Sequence, residues 1–137
     1  MARRAQFAAL AEPDDLAVLR SLRSAGRLAD PGAAALPPGI RVEHVGGHTP
    51  GQVIVHVTAR GGQVVLTSDA VHLYEELDRD RPYAIVSDVP AMYRGYDRIR
   101  ALQDEGARIV AGHDPAVMGR FTPLVAAGGE QVGVTVT

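Results

Sequence analysis

Along the first stretch of the chain apolar residues recur at helical spacing. Leu16, Leu19 and Leu22 form one stripe, with Asp14 and Asp15 as an opening signal and Gly26 placed to end the helix. Residues 2–27 are therefore expected to be helical, in one piece or in two divided near Pro13. Pro and Gly crowd residues 29–39, which read as a linker. From Ile40 the period falls to two: Ile40, Val42 and His44 share one face, and Arg41, Glu43 and Val45 the other. Gly46-Gly47-His48-Thr49-Pro50-Gly51 must be a turn. Val53 to Val57 is apolar at nearly every position, the pattern of a strand buried on both faces. Ala59-Arg60-Gly61-Gly62 turns the chain, Val64-Val65-Leu66 pairs back, and the strand ends at Thr67-Ser68-Asp69.

The second half switches period again. Val71 to Leu77 suits a turn of helix, and Arg79 to Pro82 a polar loop. Asp88-Val89-Pro90 opens a longer helix with proline in its first turn. Met92, Tyr96, Ile99 and Leu102 supply its buried stripe, and Gly106 ends it. Ala107 to Ala111 reads as a short buried strand, so helix and strand joined by a tight link predict an α/β layered fold. The alternating Val132-Gly-Val-Thr-Val-Thr end fits an edge strand or a frayed tail. The expected organisation is a single domain over residues 1–137, with a helical lead-in (1–28), a linker (29–39), a core (40–127) and a tail (128–137).

Composition narrows the function classes. A chain of 137 residues with 46% hydrophobic and 22% charged residues suits one soluble domain, and only 4% aromatic content predicts an aliphatic core. A net charge of -2 gives no electrostatic reason to expect nucleic acid or an anionic membrane as partner. Arg3, Arg4, Arg20, Arg23 and Arg27 are mixed with Asp14 and Asp15 and read as a solvated face. Without cysteine, thiol catalysis and thiolate ligands are excluded. The apolar start is broken by Gln6 and halted at Glu12-Pro13-Asp14, too soon for an export signal, and no run is long enough to span a membrane. A cytoplasmic location is the expectation.

The candidate chemistry sits at three strand tips. His48, Asp69 and His113 each lie just beyond a predicted strand, and imidazole and carboxylate are first-choice ligands for zinc and other first-row ions. Gly47 and Gly112 precede the two histidines and let the backbone turn sharply. Each residue also has a plainer reading, as a hydrogen-bonding loop histidine or a turn-forming aspartate, and spacing alone does not choose. Elsewhere, His44 shares the parity of Ile40 and Val42 and suits a core or supporting role, and His56 in mid-strand is structural. Asp114 either orients His113 or shapes its turn. Glu75 and Glu76, adjacent on a helix, are expected to point apart into solvent.

Taken together, Gly-His48-Thr-Pro-Gly, then Ser-Asp69-Ala, then Gly-His113-Asp-Pro resemble the second half of the metallo-β-lactamase superfamily, nearest to its N-acyl-homoserine-lactonase branch. The resemblance runs roughly from Gly39 to Met118. It implies a partial αββα sandwich, the C-terminal half of that fold, with metal at one edge of the sheets. It implies His48 as a ligand of one ion, Asp69 as a carboxylate bridging two, and His113 as a ligand of the second. The implied cofactor is Zn2+, two ions in a complete protein, other divalent first-row metals also suiting the donors. The implied reaction is hydrolysis of a small-molecule lactone or ester by a metal-bound hydroxide. Gln52 stands where the lactonases usually have another histidine. His72 stands where they often place a tyrosine thought to contact the substrate carbonyl, and Tyr74 is the other candidate for that role. Asp69, His72 and Tyr74 are thus the candidate catalytic residues. The superfamily's upstream His-x-His-x-Asp-His motif is absent, since no histidine precedes His44. The chain is therefore expected to bind metal weakly and turn over little substrate alone. An uncovered sheet face is compatible with a homodimer. The competing expectations are another esterase or a glyoxalase II-type thioesterase of the same superfamily, and a non-catalytic binding or oligomerisation module.

Overall fold

The computed structural model describes residues 12–29 and 35–136. The chain divides into two compact units, Met1–Ala35 and Leu36–Thr137. In the first, helix α1 (Pro13–Ser24) opens with proline, whose missing N–H would be unpaired there anyway, and with Asp14 and Asp15 beside the positive end of the helix dipole. It closes where the pattern predicts. Gly26 adopts a φ of +67°, and the Arg27 N–H donates to the Leu22 carbonyl at 2.9 Å. Any helix before Glu12, and residues 30–34 of the linker, fall outside the described residues.

The second unit is built on a four-stranded sheet of β1 (Ile40–His44), β2 (Val53–Ala59), β3 (Gly62–Leu66) and β4 (Arg108–Val110), in that order across the sheet. The β1–β2 and β2–β3 pairs are antiparallel, and β3–β4 is parallel. Strands β1, β3 and β4 therefore run the same way, and the loops leaving their C-terminal ends gather at one edge of the sheet. Loops after His44, Leu66 and Val110 carry the three candidate ligands, so topology alone brings them into one neighbourhood.

Between β3 and β4 the chain forms a 3-10 turn (Ser68–Ala70) and helices α2 (Tyr74–Arg79) and α3 (Val89–Asp104). Asp88 caps α3, its carboxylate accepting from the Ala91 N–H at 3.0 Å. Met92, Tyr96, Ile99 and Leu102 are all at most 4% exposed and pack on Ile54, Val65 and Ile109. Strand β2 departs from its predicted burial on both faces. Ile54 and His56 are buried under α3, but Val53, Val55 and Val57 are only half-buried on the opposite side, where Ile40 and Leu66 stay exposed. The run misled because Val53, Val55 and Val57 make one face fully apolar, yet it is the other face, with Ile54 and His56, that the helix covers. After a short helix α4 (Val117–Arg120), Thr122–Val125 (β5) pairs with Gln131–Thr135 (β6) in a separate two-stranded antiparallel sheet. The tail is thus a strand, paired with a segment whose Pro123 hid it.

One ion-pair network ties the sheet to α3. Arg98 grips Glu43 with Nε at 2.7 Å and Nη2 at 3.2 Å, and the buried His56 lies with Nε2 at 2.9 Å from the same carboxylate. The Arg98 contact, working against burial, lowers the Glu43 pKa to about 2. A carboxyl depressed in the folded state stabilises above its unfolded pKa and loses that contribution as pH falls through its folded value. Screening of the partly exposed arginines limits the contribution to about 1–2 kcal/mol. Urea unfolding at pH 7 and pH 3 should show stability falling on acidification, and Glu43→Gln should flatten that slope.

Candidate metal centre

Each candidate ligand is held by its own piece of local chemistry. The loop between β1 and β2 closes with the Val45 and Gly46 N–H groups both donating to the Gln52 carbonyl at 3.0 Å. It then docks on the segment leading into α3. The Gly47 carbonyl accepts from the Ser87 and Asp88 N–H groups at 2.9 and 3.0 Å and from the Ser87 hydroxyl at 2.8 Å. Gly47 has a φ of +92°, and a Cβ there would sit 2.8 Å from the Met92 Cα, so only glycine permits this approach. The docked loop puts His48 Nδ1 at 2.8 Å from the Ile85 carbonyl. A carbonyl can only accept, so Nδ1 carries a proton, and in the neutral ring the lone pair is on Nε2, the form in which imidazole binds metal.

Asp69 and His113 are fixed together. The Thr67 N–H and hydroxyl both donate to the Val110 carbonyl at 3.0 Å, locking the tips of β3 and β4. Beyond that lock, the Gly112 and His113 N–H groups donate to the Val71 and His72 carbonyls at 2.9 and 3.0 Å. Ser68 takes a left-handed φ of 46° just before Asp69, the kind of backbone strain that gathers at functional sites.

The result is a line of side chains around one carboxylate. Asp69 Oδ1 lies 2.7 Å from His113 Nε2, and Asp69 Oδ2 lies 3.7 Å from His48 Nε2. The His72 ring packs between those of Tyr83, at 4.4 Å, and His113, at 5.5 Å, and meets His48 edge-on at 5.0 Å. Burial pushes the His72 pKa below the usual imidazole range, helped by the neighbouring His48. A cleft of about 500 Å³ opens here, lined by Asp69, His72, Leu73, Tyr83, Ile85 and His113.

Several sequence expectations change. Tyr74 is not in this cleft: it is 6% exposed, its hydroxyl donates to the Ile109 carbonyl at 2.9 Å, and the Arg120 guanidinium covers its ring at 3.7 Å. As the first residue of α2 it turns toward β4, so it cannot serve a substrate at the His72 side. Asp114 does not orient His113. Its oxygens accept from the Tyr74 and Ala116 N–H groups at 2.9 and 2.8 Å, which makes it a turn former. His44 is exposed and braces the loop through Nε2 at 2.7 Å from the Pro50 carbonyl. Glu76, expected in solvent, is 4% exposed and accepts from the His72 and Leu73 N–H groups and from the Tyr96 hydroxyl. Its reach back to the N–H groups just before α2 is half of a capping box, a signal present in the sequence as the Glu two residues after Tyr74.

The donor set fits a divalent first-row ion in kind. As the side chains stand, no group of three or more His, Asp or Glu among the described residues is placed to hold one. Two ligand atoms on a tetrahedral zinc stand about 3.3 Å apart. The His48–Asp69 pair is close to that spacing, while Asp69 and His113, in direct hydrogen-bond contact, must part slightly; both are exposed enough to do so. His48, Asp69 and His113 are the residues that would hold the ion.

Comparison with curated protein sequences gave no match. Solved structures did. An N-acyl homoserine lactone hydrolase, seen with its product N-hexanoyl-L-homoserine bound at the catalytic metal centre, superposes with a TM-score of 0.54 at 26% identity over 60% of this chain and 33% of its own. AidC, a dizinc quorum-quenching lactonase, matches with a TM-score of 0.54 at 19% identity over 77% of this chain and 37% of its own. AbOPH, a hydrolase in the beta lactamase superfamily, gives a TM-score of 0.57 at 20% identity over 87% of this chain and 42% of its own. The chain thus spans a third to under a half of the length of these three structures. A sequence profile of the metallo-beta-lactamase superfamily matches residues 7–113, the stretch that ends on the third candidate ligand. Profile and fold agree, and the chain belongs to the metallo-beta-lactamase superfamily.

Proposed function

We propose that this chain carries part of the metal site of a lactone hydrolase acting on N-acyl homoserine lactone-type substrates. The observation that supports this most is Asp69 set between two imidazole nitrogens, 2.7 Å from one and 3.7 Å from the other, at the floor of an open cleft. An ion bound there supplies Lewis acidity, lowering the pKa of bound water and polarising a carbonyl oxygen. His48 brings a free Nε2 lone pair, fixed by its bond to the Ile85 carbonyl. Asp69 brings two oxygens that face opposite partners, the arrangement a bridging carboxylate needs. Leu73, Ile85 and Tyr83 give the cleft an apolar wall suited to ring and acyl carbons.

The chain supplies three donors, which suffice for one catalytic-type zinc or leave about two for each of two ions. Zinc titration of this chain by calorimetry is expected to show weak binding, short of the about 10–16 kcal/mol of structural zinc sites. Two tight sites would overturn the three-donor assignment. Proton release from a panel of lactones and thioesters, measured on the zinc-loaded chain, tests the substrate class: thioester turnover without lactone turnover would favour a glyoxalase II-type enzyme.

A second reading rests on the sheet face that carries Ile40 and Leu66, 38% and 41% exposed beside half-buried valines. Such a face suits association with another chain or a second copy, without catalysis. Sedimentation of a metal-free oligomer would favour it.

A further inference from the structure

The structure assigns to Glu76 a positioning role: it fixes His72 with the proton on Nδ1, so that a bare Nε2 faces the cleft as a hydrogen-bond acceptor. His72 cannot then donate to a substrate carbonyl, the job its place in the sequence suggested. This inference rests on the hydrolase reading only for what occupies the cleft; the state of the ring is independent of it.

The Glu76 carboxylate is itself immobile. Oε2 accepts from the Tyr96 hydroxyl at 2.5 Å, and Oε1 accepts from the N–H groups of His72 and Leu73, each at 2.9 Å. Tyr96 is 0% exposed on the buried stripe of α3, so the carboxylate is anchored to the core. His72 Nδ1 lies 3.3 Å from the same Oε1, close to the charge but without the alignment of a hydrogen bond, and it is buried with no hydrogen-bond partner. Neutral imidazole carries one N–H. With the proton on Nδ1, an N–H dipole lies 3.3 Å from an anchored carboxylate. With the proton on Nε2, the Nδ1 lone pair would face carboxylate lone pairs in a site closed to water, which is repulsive. The Nδ1–H form should therefore dominate by about tenfold or more, since a buried carboxylate at 3.3 Å favours an N–H dipole and repels a lone pair.

The ring has little freedom to choose otherwise. Tyr83 stacks on it at 4.4 Å and 25°, and His113 lies at 5.5 Å and 23°. His72 lines the cleft beside Asp69 and His113. A bare Nε2 there accepts a hydrogen bond from water or from a donor group of the substrate, and orients that water toward a carbonyl bound against the apolar wall.

The test is long-range 1H–15N correlation NMR on the metal-free chain at pH 8, with the His72 signals identified by their loss in His72→Asn. The expected result is a protonated-type Nδ1 and a bare-type Nε2 for His72. The reverse pattern in the unaltered chain would overturn the proposal, whether or not any variant folds. Glu76→Gln should bring the two forms to within about twofold of each other, while Tyr96→Phe, which keeps the carboxylate, should leave Nδ1–H dominant. An unchanged ratio in a folded Glu76→Gln chain, checked by its amide spectrum, would also overturn it. Absence of lactone turnover would leave these signals untouched, so failure of the hydrolase reading is read separately.

Discussion

Gly112→Ala is expected to destabilise the second unit by about 3 kcal/mol or more and to separate Asp69 from His113. A Cβ on Gly112 would stand 2.5 Å from the Ser68 carbonyl oxygen and 2.7 Å from its carbonyl carbon. Those atoms are backbone, so no side-chain rotation relieves the clash. They also belong to a turn that cannot retreat easily, because Ser68 is already at a positive φ and Thr67 before it is hydrogen-bonded to Val110 through both N–H and hydroxyl. The strands must part at their tips, and with them go the bonds from the Gly112 and His113 N–H groups to Val71 and His72. Thermal unfolding followed by circular dichroism checks the stability, and amide hydrogen exchange at 112 and 113 checks the local opening. A variant as stable as the parent would show that the turn at Ser68 yields more readily than its bonding implies.

Much of this was legible in the residues. The Leu16 stripe with its Gly26 stop, the change of period at Ile40, and the Asp88-Val-Pro90 start each rest on local rules that tertiary context did not override. The strand tips at His48 and His113 were legible too, because a Gly-His step after an apolar run is a local signal, and Asp69 followed from the end of the Val64-Val65-Leu66 run. What could not be read was which way side chains near those tips turn. Tyr74 and His72 are two apart on the approach to a short helix, and only the packing against β4 sends one to the core and leaves the other lining the cleft. Glu76 was misjudged because charge is a good guide to exposure except where a buried hydroxyl waits for it, and Tyr96 comes from an element 20 positions away. The uncovered face of β2 was hidden for a different reason. Alternation reports burial when the polar face is the wet one, and here the face with His56 is buried while the all-valine face is only half-covered.

Asp69→Asn is expected to leave the fold nearly intact while weakening zinc binding by more than about 100-fold, since even residues that merely support a ligand cost 10–100-fold when changed. The substitution keeps the shape of the side chain. Asp69 is only partly buried, with 35% of its side chain exposed, and an amide oxygen can still accept from His113 Nε2, so the unfolding midpoint should move by no more than a few degrees. What the amide cannot do is present two anionic oxygens, one toward His48 Nε2 and the other toward His113 Nε2. One oxygen is replaced by an N–H2 donor that repels a cation, and the negative charge that would offset a divalent ion is gone. His48→Ala, by contrast, removes one neutral donor and leaves that charge, so its loss of affinity should be smaller than that of Asp69→Asn. Calorimetric zinc titration of the parent and both variants, with thermal unfolding as the control, decides the order. If Asp69→Asn bound zinc as the parent does, the carboxylate would be no ligand, and the contact with His113 would be an ordinary surface ion pair.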